Sequence, residues 1–270
     1  MKNTQNIQIS GSARASFGDI NQTIQPASSG WTGDKALRPV RVLFMAANPS
    51  NTSRLRLDQE ARAIDQALQT SGLRDRFELE HSWAVGDRDL QESLLRYQPD
   101  IVHLSGHGTR SGRVLLEPGS LGDNHPHPTA AAGPADDPML PLARIFVAAR
   151  GRIRCAVLNA CHSEALARSL AEEIECVVGM SDAIEDEKAI RFSWSFYNAL
   201  GYGQSVKAAF ELAAAHVALK GPGSDHVLRL VALRCDPAAV VFLPGAELST
   251  QQLREEEHVE RGVLLRPPGD

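Results

Sequence analysis

From residue 40 onward, the hydrophobic positions of this chain alternate between two periodicities. VRVLFMAA (40–47) is a continuous apolar run, the pattern of a strand buried on both faces. Leu57, Ala61, Ile64 and Leu68 follow at helical spacing, and Gly72 supplies a stop. FELEHSWAV (77–85) alternates as a strand. Asp87 is placed to cap a helix bearing Leu90, Leu94 and Leu95, which must end before Pro99. DIVHLSGHG (100–108) is a strand running into a glycine loop. IRCAVLNA (153–160) and ECVVGM (175–180) read as further strands, and 141–149 and 163–174 as helices. Ile190, Trp194 and Tyr197 share one helix face. Val206, Phe210, Ala213 and Val217 share another, in a helix ended by Gly221, Pro222 and Gly223. VLRLVA (227–232) and AVVFLP (239–244) are the last predicted strands. Such alternation predicts an α/β fold, a mostly parallel sheet with helices on both faces. Ligands of such sheets bind beyond the carboxyl ends of the strands.

Three segments depart from this pattern. Residues 1–39 are rich in Ser, Gly, Asn, Gln and Thr. Within them, residues 6–25 show a short alternation at Ile7 and Ile9, which reads either as a tail or as a self-associating β motif. Residues 26–39 read as a linker. Residues 109–139 form a Gly-, Pro-, His- and Asp-rich loop, with VLLE (114–117) its strand-like piece. Residues 246–270 are a charged tail. The predicted organisation is therefore an adaptor and linker over 1–39, one α/β domain over 40–245, and the tail.

Composition narrows the classes. The 270 residues carry 28 Lys plus Arg against 33 Asp plus Glu, a net charge of −5, which is a poor field for binding nucleic-acid backbones. No apolar run reaches the ~18 residues of a membrane span, and the N-terminus has no signal-peptide core, so a soluble cytoplasmic protein is expected. The four cysteines form no CxxC pair, which argues against a zinc knuckle and a disulfide scaffold. No metal or cofactor is expected.

Two strand ends carry chemistry. In HLSGHG (103–108), His107 lies just past a buried strand between two glycines, which permit tight turning and close backbone approach. His103, inside the strand, reads as a core or supporting residue. In LNACHS (158–163), Cys161 follows a buried strand and precedes a helix, whose positive end would favour thiolate. Cys155, Cys176 and Cys235 sit in or beside apolar runs and read as structural. Each site residue has a bland alternative, a turn histidine or a small packed thiol. Their equivalent placement at the ends of two neighbouring strands favours a histidine beside a thiol nucleophile. They stand 54 residues apart, near the ~50 from His to Cys in caspases.

Four segments in order carry a family resemblance: 47–64, PDIVHLSGHGTRSGRVLLE (99–117), VLNACHSEALA (157–167) and the stretch 177–210 that opens VVGMSDAI. With these the chain resembles the CHAT domain, a bacterial branch of the caspase, separase and gingipain clan of cysteine peptidases, over roughly residues 40–245. The caspase cysteine signature is met only in part, as Asn159-Ala160-Cys161-His162-Ser163. The resemblance implies a caspase-like three-layer α/β/α sandwich and a cysteine endopeptidase. Cys161 would attack the scissile carbonyl, His107 would transfer the proton, and the N–H groups of Gly108 and Cys161 would hold the oxyanion. By similarity to separase, Asp182 would line the S1 pocket and select Arg or Lys at P1; a cluster of carboxylates at a helix start is the plainer reading. His162 reads as structural, and Trp194 and Tyr202 as core. Family members act in bacterial defence or regulated cell death, some on gasdermin-like partners. The implied partners are a protein substrate, a sensor or adaptor met through residues 6–25, and further copies in an oligomer or filament, with neither nucleic acid nor membrane.

Other classes remain to be weighed. A catalytically silent scaffold would keep the fold, although it would be free to lose His107 or Cys161. A nucleotide-binding domain lacks its signature, because no GxGxxG or GxxxxGK[ST] follows the first strand, and a GxSxG elbow is also missing. A metal site on His103, His107, His125 and His127 is opposed by the Pro-rich loop around the last two. Arg110 and Arg113 would suit self-cleavage in the long loop.

Overall fold

The computed structural model describes residues 38–118, 140–149, 151–221 and 225–243. The adaptor motif, His125 and His127, most of the 109–139 loop and the charged tail lie outside these residues. The described elements run β1 (Val40–Ala47), α1 (Leu57–Gln69), β2 (Phe77–Ser82), α2 (Asp87–Tyr97), β3 (Ile101–Gly106), α3 (Leu140–Ala149), β4 (Cys155–Asn159), α4 (Glu164–Ala171), β5 (Cys176–Met180), α5 (Asp186–Gly201), α6 (Val206–Ala218) and β6 (Leu228–Val231).

They build a six-stranded sheet in the order β2-β1-β3-β4-β5-β6. The first five strands are parallel and β6 is antiparallel to β5. The period-2 geometry of a strand sends neighbouring residues to opposite faces, so each buried strand feeds two cores. From β1, Val42, Phe44 and Ala46 enter a core with α1, α5 and α6. Leu43 and Met45 enter a second core with Leu90, Leu94, Phe146, Leu166 and Leu170 of α2, α3 and α4. The chain is thus a three-layer α/β/α sandwich. Fully burying each such side chain contributes roughly 1.5–3 kcal/mol, which is what holds helices on both faces. No described helix is long and apolar enough to cross a membrane.

Element ends differ from the expectation for local reasons. β2 stops at Ser82 because Ala84 adopts a left-handed backbone (φ 52°). The α2 cap is Gly86, not Asp87: its N–H donates to the Asp89 carboxylate at 2.9 Å. As expected, α2 ends before Pro99, with Gln98 left-handed. The α4 helix is shorter than the apolar spacing over 163–174 suggests. Residues 239–243 form no strand. A turn at Asp236–Ala239 redirects the chain, and Val240 and Leu243 plug the first core from a loop while the Val240 carbonyl accepts the Val206 N–H. Apolar content alone could not distinguish a strand from a loop that seals a core.

Candidate active site

β3 and β4 are hydrogen-bonded neighbours, registered Ile101 to Cys155 through Ser105 to Asn159. Two residues beyond the last pair stand His107 and Cys161. The equivalence read in the sequence is therefore a real juxtaposition, and the backbones beyond the strands touch. A Cβ built on Gly108 would lie 1.7 Å from the carbonyl oxygen of Cys161 and 3.0 Å from its nitrogen. Only glycine lets the segment after His107 lie against the cysteine turn. Both His107 and Cys161 are half-buried.

The loops around the pair are cross-braced. After His107 the chain doubles back as a small hairpin. The Leu115 N–H donates to the His107 carbonyl (2.9 Å), the Thr109 N–H to the Arg113 carbonyl (2.8 Å), and Gly108 faces Val114. The strand-like character expected of 114–117 is this short bridge. Glu117 anchors the hairpin: its N–H donates to the Val85 carbonyl, and its carboxylate accepts the Asn48 N–H at 2.8 Å. From the loop after β1, the Ser53 carbonyl lies 2.7 Å from His107 Nε2. A carbonyl only accepts, so Nε2 is the donor in this contact and carries a proton. This third group was not legible in the sequence, because any residue presents a carbonyl.

On the other side, His162 adopts a left-handed backbone (φ 57°), which turns the chain sharply after Cys161. Its N–H faces the Asp182 carbonyl at 3.4 Å, and its Nδ1 lies 3.7 Å from the Asp182 carboxylate. Ser163 caps no amide of α4. Its hydroxyl donates to the Leu158 carbonyl (3.1 Å) and accepts the Met180 N–H (3.0 Å), tying the cysteine turn to β5. Cys161 consequently precedes the cap of α4 and is not on its first turn.

Asp182 borders this turn, but its side chain is 74% exposed and accepts the neighbouring Ala183 N–H (2.7 Å). Nearby, Arg56 pairs with Asp186 at 2.6 Å, linking the loop after β1 to the start of α5. Trp194 packs edge-on against His216 of α6. Tyr202 is half-exposed at the far end of α5, its hydroxyl facing the Thr70 carbonyl; the expectation of a core residue fails because the helix end is open to solvent there.

Beneath the pair lies a polar cluster that sequence reading touched only at His103. That histidine is fully buried, with Nε2 donating to the Glu60 carboxylate (2.9 Å) and Nδ1 meeting the Tyr197 hydroxyl (3.2 Å). Glu60 also accepts from Ser105, Asn159 and Ser193. Burial pushes its carboxyl up, but His103 and the two hydroxyls outweigh this and hold it below the ordinary range. The available signal was a carboxylate on the apolar stripe of α1, one turn after Leu57 and one before Ile64.

Burial pushes the Cys155 thiol up to about 12 and the Cys176 thiol higher still. No group of three or more His, Cys, Asp or Glu side chains among the described residues could hold a metal ion.

Residues 6–253 match the model of the CHAT domain. The chain is 27% identical over 186 residues to a Roc-COR-CHAT protease from an unknown prokaryotic organism, covering 68% of this chain and 17% of that one. It is 22% identical over 197 residues to a probable protease of Gillisia limnaea, covering 72% and 33%. The chain thus spans a third or less of these relatives. Among solved structures it resembles caspase-1 from Spodoptera frugiperda (TM-score 0.46, 12% identity, 76% of this chain and 88% of that one). It also resembles a secreted cysteine protease from Bacteroides thetaiotaomicron bound to an irreversible peptide inhibitor (TM-score 0.48, 11% identity, 72% and 66%). With the family model spanning most of its length, the chain belongs to the CHAT domain family.

Proposed function

We propose that this chain is a cysteine endopeptidase working through His107 and Cys161. The observation that carries the reading is the close contact of the two strand ends, where Gly108 lies directly on the Cys161 backbone. Two relatives, one named a Roc-COR-CHAT protease and one a probable protease, support it. The Cys161 thiol passes its proton to His107 Nδ1 and its Sγ forms a bond to the scissile carbonyl carbon, while the N–H groups of Gly108 and Cys161 receive the oxyanion. His107, oriented through Nε2 by the Ser53 carbonyl, delivers a proton from Nδ1 to the leaving amine as the C–N bond breaks. Water then hydrolyses the thioester, releasing the acid and restoring the thiol.

A basic P1 residue facing Asp182 belongs to the same proposal. The Asp182 carboxylate stands exposed beside the cysteine turn, where an incoming guanidinium would meet it. Deployment in bacterial defence or programmed cell death, action on a gasdermin-like partner, and recruitment through residues 6–25 complete the reading.

The test pairs wild type with Cys161→Ala on peptides ending in Arg, Lys, Asp or Leu at P1. Cleavage after Arg or Lys, abolished by Cys161→Ala and weakened at least tenfold by Asp182→Ala, supports both the pair and the pocket. Cleavage after another residue keeps the pair and removes Asp182. The absence of cleavage by assembled full-length protein favours a catalytically silent scaffold.

A further inference from the structure

The Glu60 carboxylate is almost completely buried, yet it is not part of the reacting pair. It sits on α1 and receives hydrogen bonds from three other elements: His103 and Ser105 of β3, Asn159 of β4, and Ser193 of α5. Through His103 it also reaches Tyr197 of α5. A buried ionised carboxylate is tolerated only when its acceptor sites are filled, and here four donors converge on two oxygens.

The donors are not scattered. Ser105 and Asn159 are register partners, the last pair of the β3–β4 ladder. Each stands two residues before a member of the proposed pair, His107 and Cys161. One carboxylate therefore grips both strands at the point where they release their reactive residues. The Asn159 amide orientation follows from this: its NH2 must face the carboxylate, and its buried oxygen has no hydrogen-bond partner among the described residues. A core of the same size built from apolar side chains would hold the layers together, but no directional bond would then fix the two strand ends to each other.

We propose that Glu60 is a positioning residue of the His107–Cys161 pair, its buried carboxylate clamping Ser105 and Asn159 so that the two strand ends present the histidine and the thiol at one separation. The proposal rests on the peptidase reading. A shift of about 1 Å in reacting groups is enough to cost on the order of 10²-fold in rate, so loss of the clamp should act on turnover rather than on substrate binding.

The test compares Glu60→Gln, Asn159→Ala and a control, Ile64→Val, in the full chain. Ile64 lies one turn along α1 in the same core, and its hydrocarbon side chain makes no hydrogen bond to the clamp. Two readouts are taken on each variant: kcat and KM on the best cleaved peptide amide, and the rate at which iodoacetamide alkylates Cys161, followed by peptide mapping. Melting temperature is recorded for all. The expected result for Glu60→Gln and Asn159→Ala is a tenfold or greater fall in kcat with KM within twofold, and at least a threefold change in Cys161 alkylation. Ile64→Val should lose a few degrees of melting temperature and keep wild-type kcat and alkylation. If the Glu60 and Asn159 variants melt lower but keep kcat and alkylation, like the control, Glu60 is merely structural and the proposal fails. If wild type itself cleaves nothing, the peptidase reading is what has failed. The clamp is then judged on alkylation alone, and unchanged Cys161 reactivity in Glu60→Gln overturns it.

Discussion

The two ends of the sheet use polar residues in opposite ways. At the amino ends of β3, β4 and β5, charges are consumed by pairing. Asp100 receives Arg38 and the Arg41 N–H, while its carbonyl accepts from Arg154 and Cys155. Arg154 in turn holds Glu175 with two hydrogen bonds. Cys155 and Cys176 are buried there, and Cys235 donates to the Glu175 carbonyl. At the carboxyl ends, pairing is completed one layer down, around Glu60, and His107 and Cys161 are left half-exposed above it. One end of the sheet is closed by ion pairs; the other leaves an imidazole and a thiol half-exposed. This follows from the architecture, since parallel strands point all their carboxyl ends one way and the loops there are free to vary.

The comparison is broken most severely at Gly108. A methyl group there meets a backbone carbonyl at 1.7 Å, so Gly108→Ala must push the hairpin off the cysteine turn. We expect a loss of 100-fold or more in kcat/KM and about 2–4 kcal/mol of stability, read by peptide cleavage and urea melts. Thiol chemistry sharpens the contrast next. Iodoacetamide at neutral pH should label Cys161 in the folded chain, and Cys155 and Cys176 only after unfolding, because their raised pKa and burial deny them thiolate. Mass spectrometry with and without denaturant checks this.

At the closed end, Asp100→Ala should cost about 1–3 kcal/mol by stranding the Arg38 and Arg41 donors, with kcat unchanged. Acid gives a smaller, signed effect. The Glu60 carboxyl is lowered on folding, so its contribution is present above the unfolded value of about 4.3 and is lost as pH falls through the lower folded value. The melting temperature of wild type should therefore drop below about pH 4.5, and Glu60→Gln should drop less steeply over that range. The smallest effect belongs to the exposed Arg168–Glu164 pair on α4, where Arg168→Ala should change stability by about 0.5 kcal/mol or less.

Much of this was legible beforehand, for identifiable reasons. The strands β1, β3, β4 and β5 were visible as apolar runs because strands buried on both faces carry little else. The neighbouring of the strands that carry His107 and Cys161 was expected from strand–helix alternation, since strands successive in the chain are more often neighbours than not, and β3 and β4 follow that rule where β2 and β3, parted by β1, do not. Glu60 escaped because helical spacing marks which face is buried and not what a buried acid will find there; its donors come from 43 to 133 residues away. Asp182 was expected as a pocket carboxylate, and its neighbours in sequence could not reveal that its side chain stands largely in solvent.

The sequence by itself determined the layers, the sheet and the two residues offered for chemistry, because periodicity and glycine placement are local properties written one residue after another. Only the tertiary structure decided that the Ser53 carbonyl meets His107, that the chain turns sharply at a left-handed His162 just after Cys161, and that Glu60 gathers four donors beneath both. Those are matters of direction and of a few tenths of an ångström between segments distant in the chain. Hydrogen bonds and close packing are sensitive at that scale, and residue order alone is not.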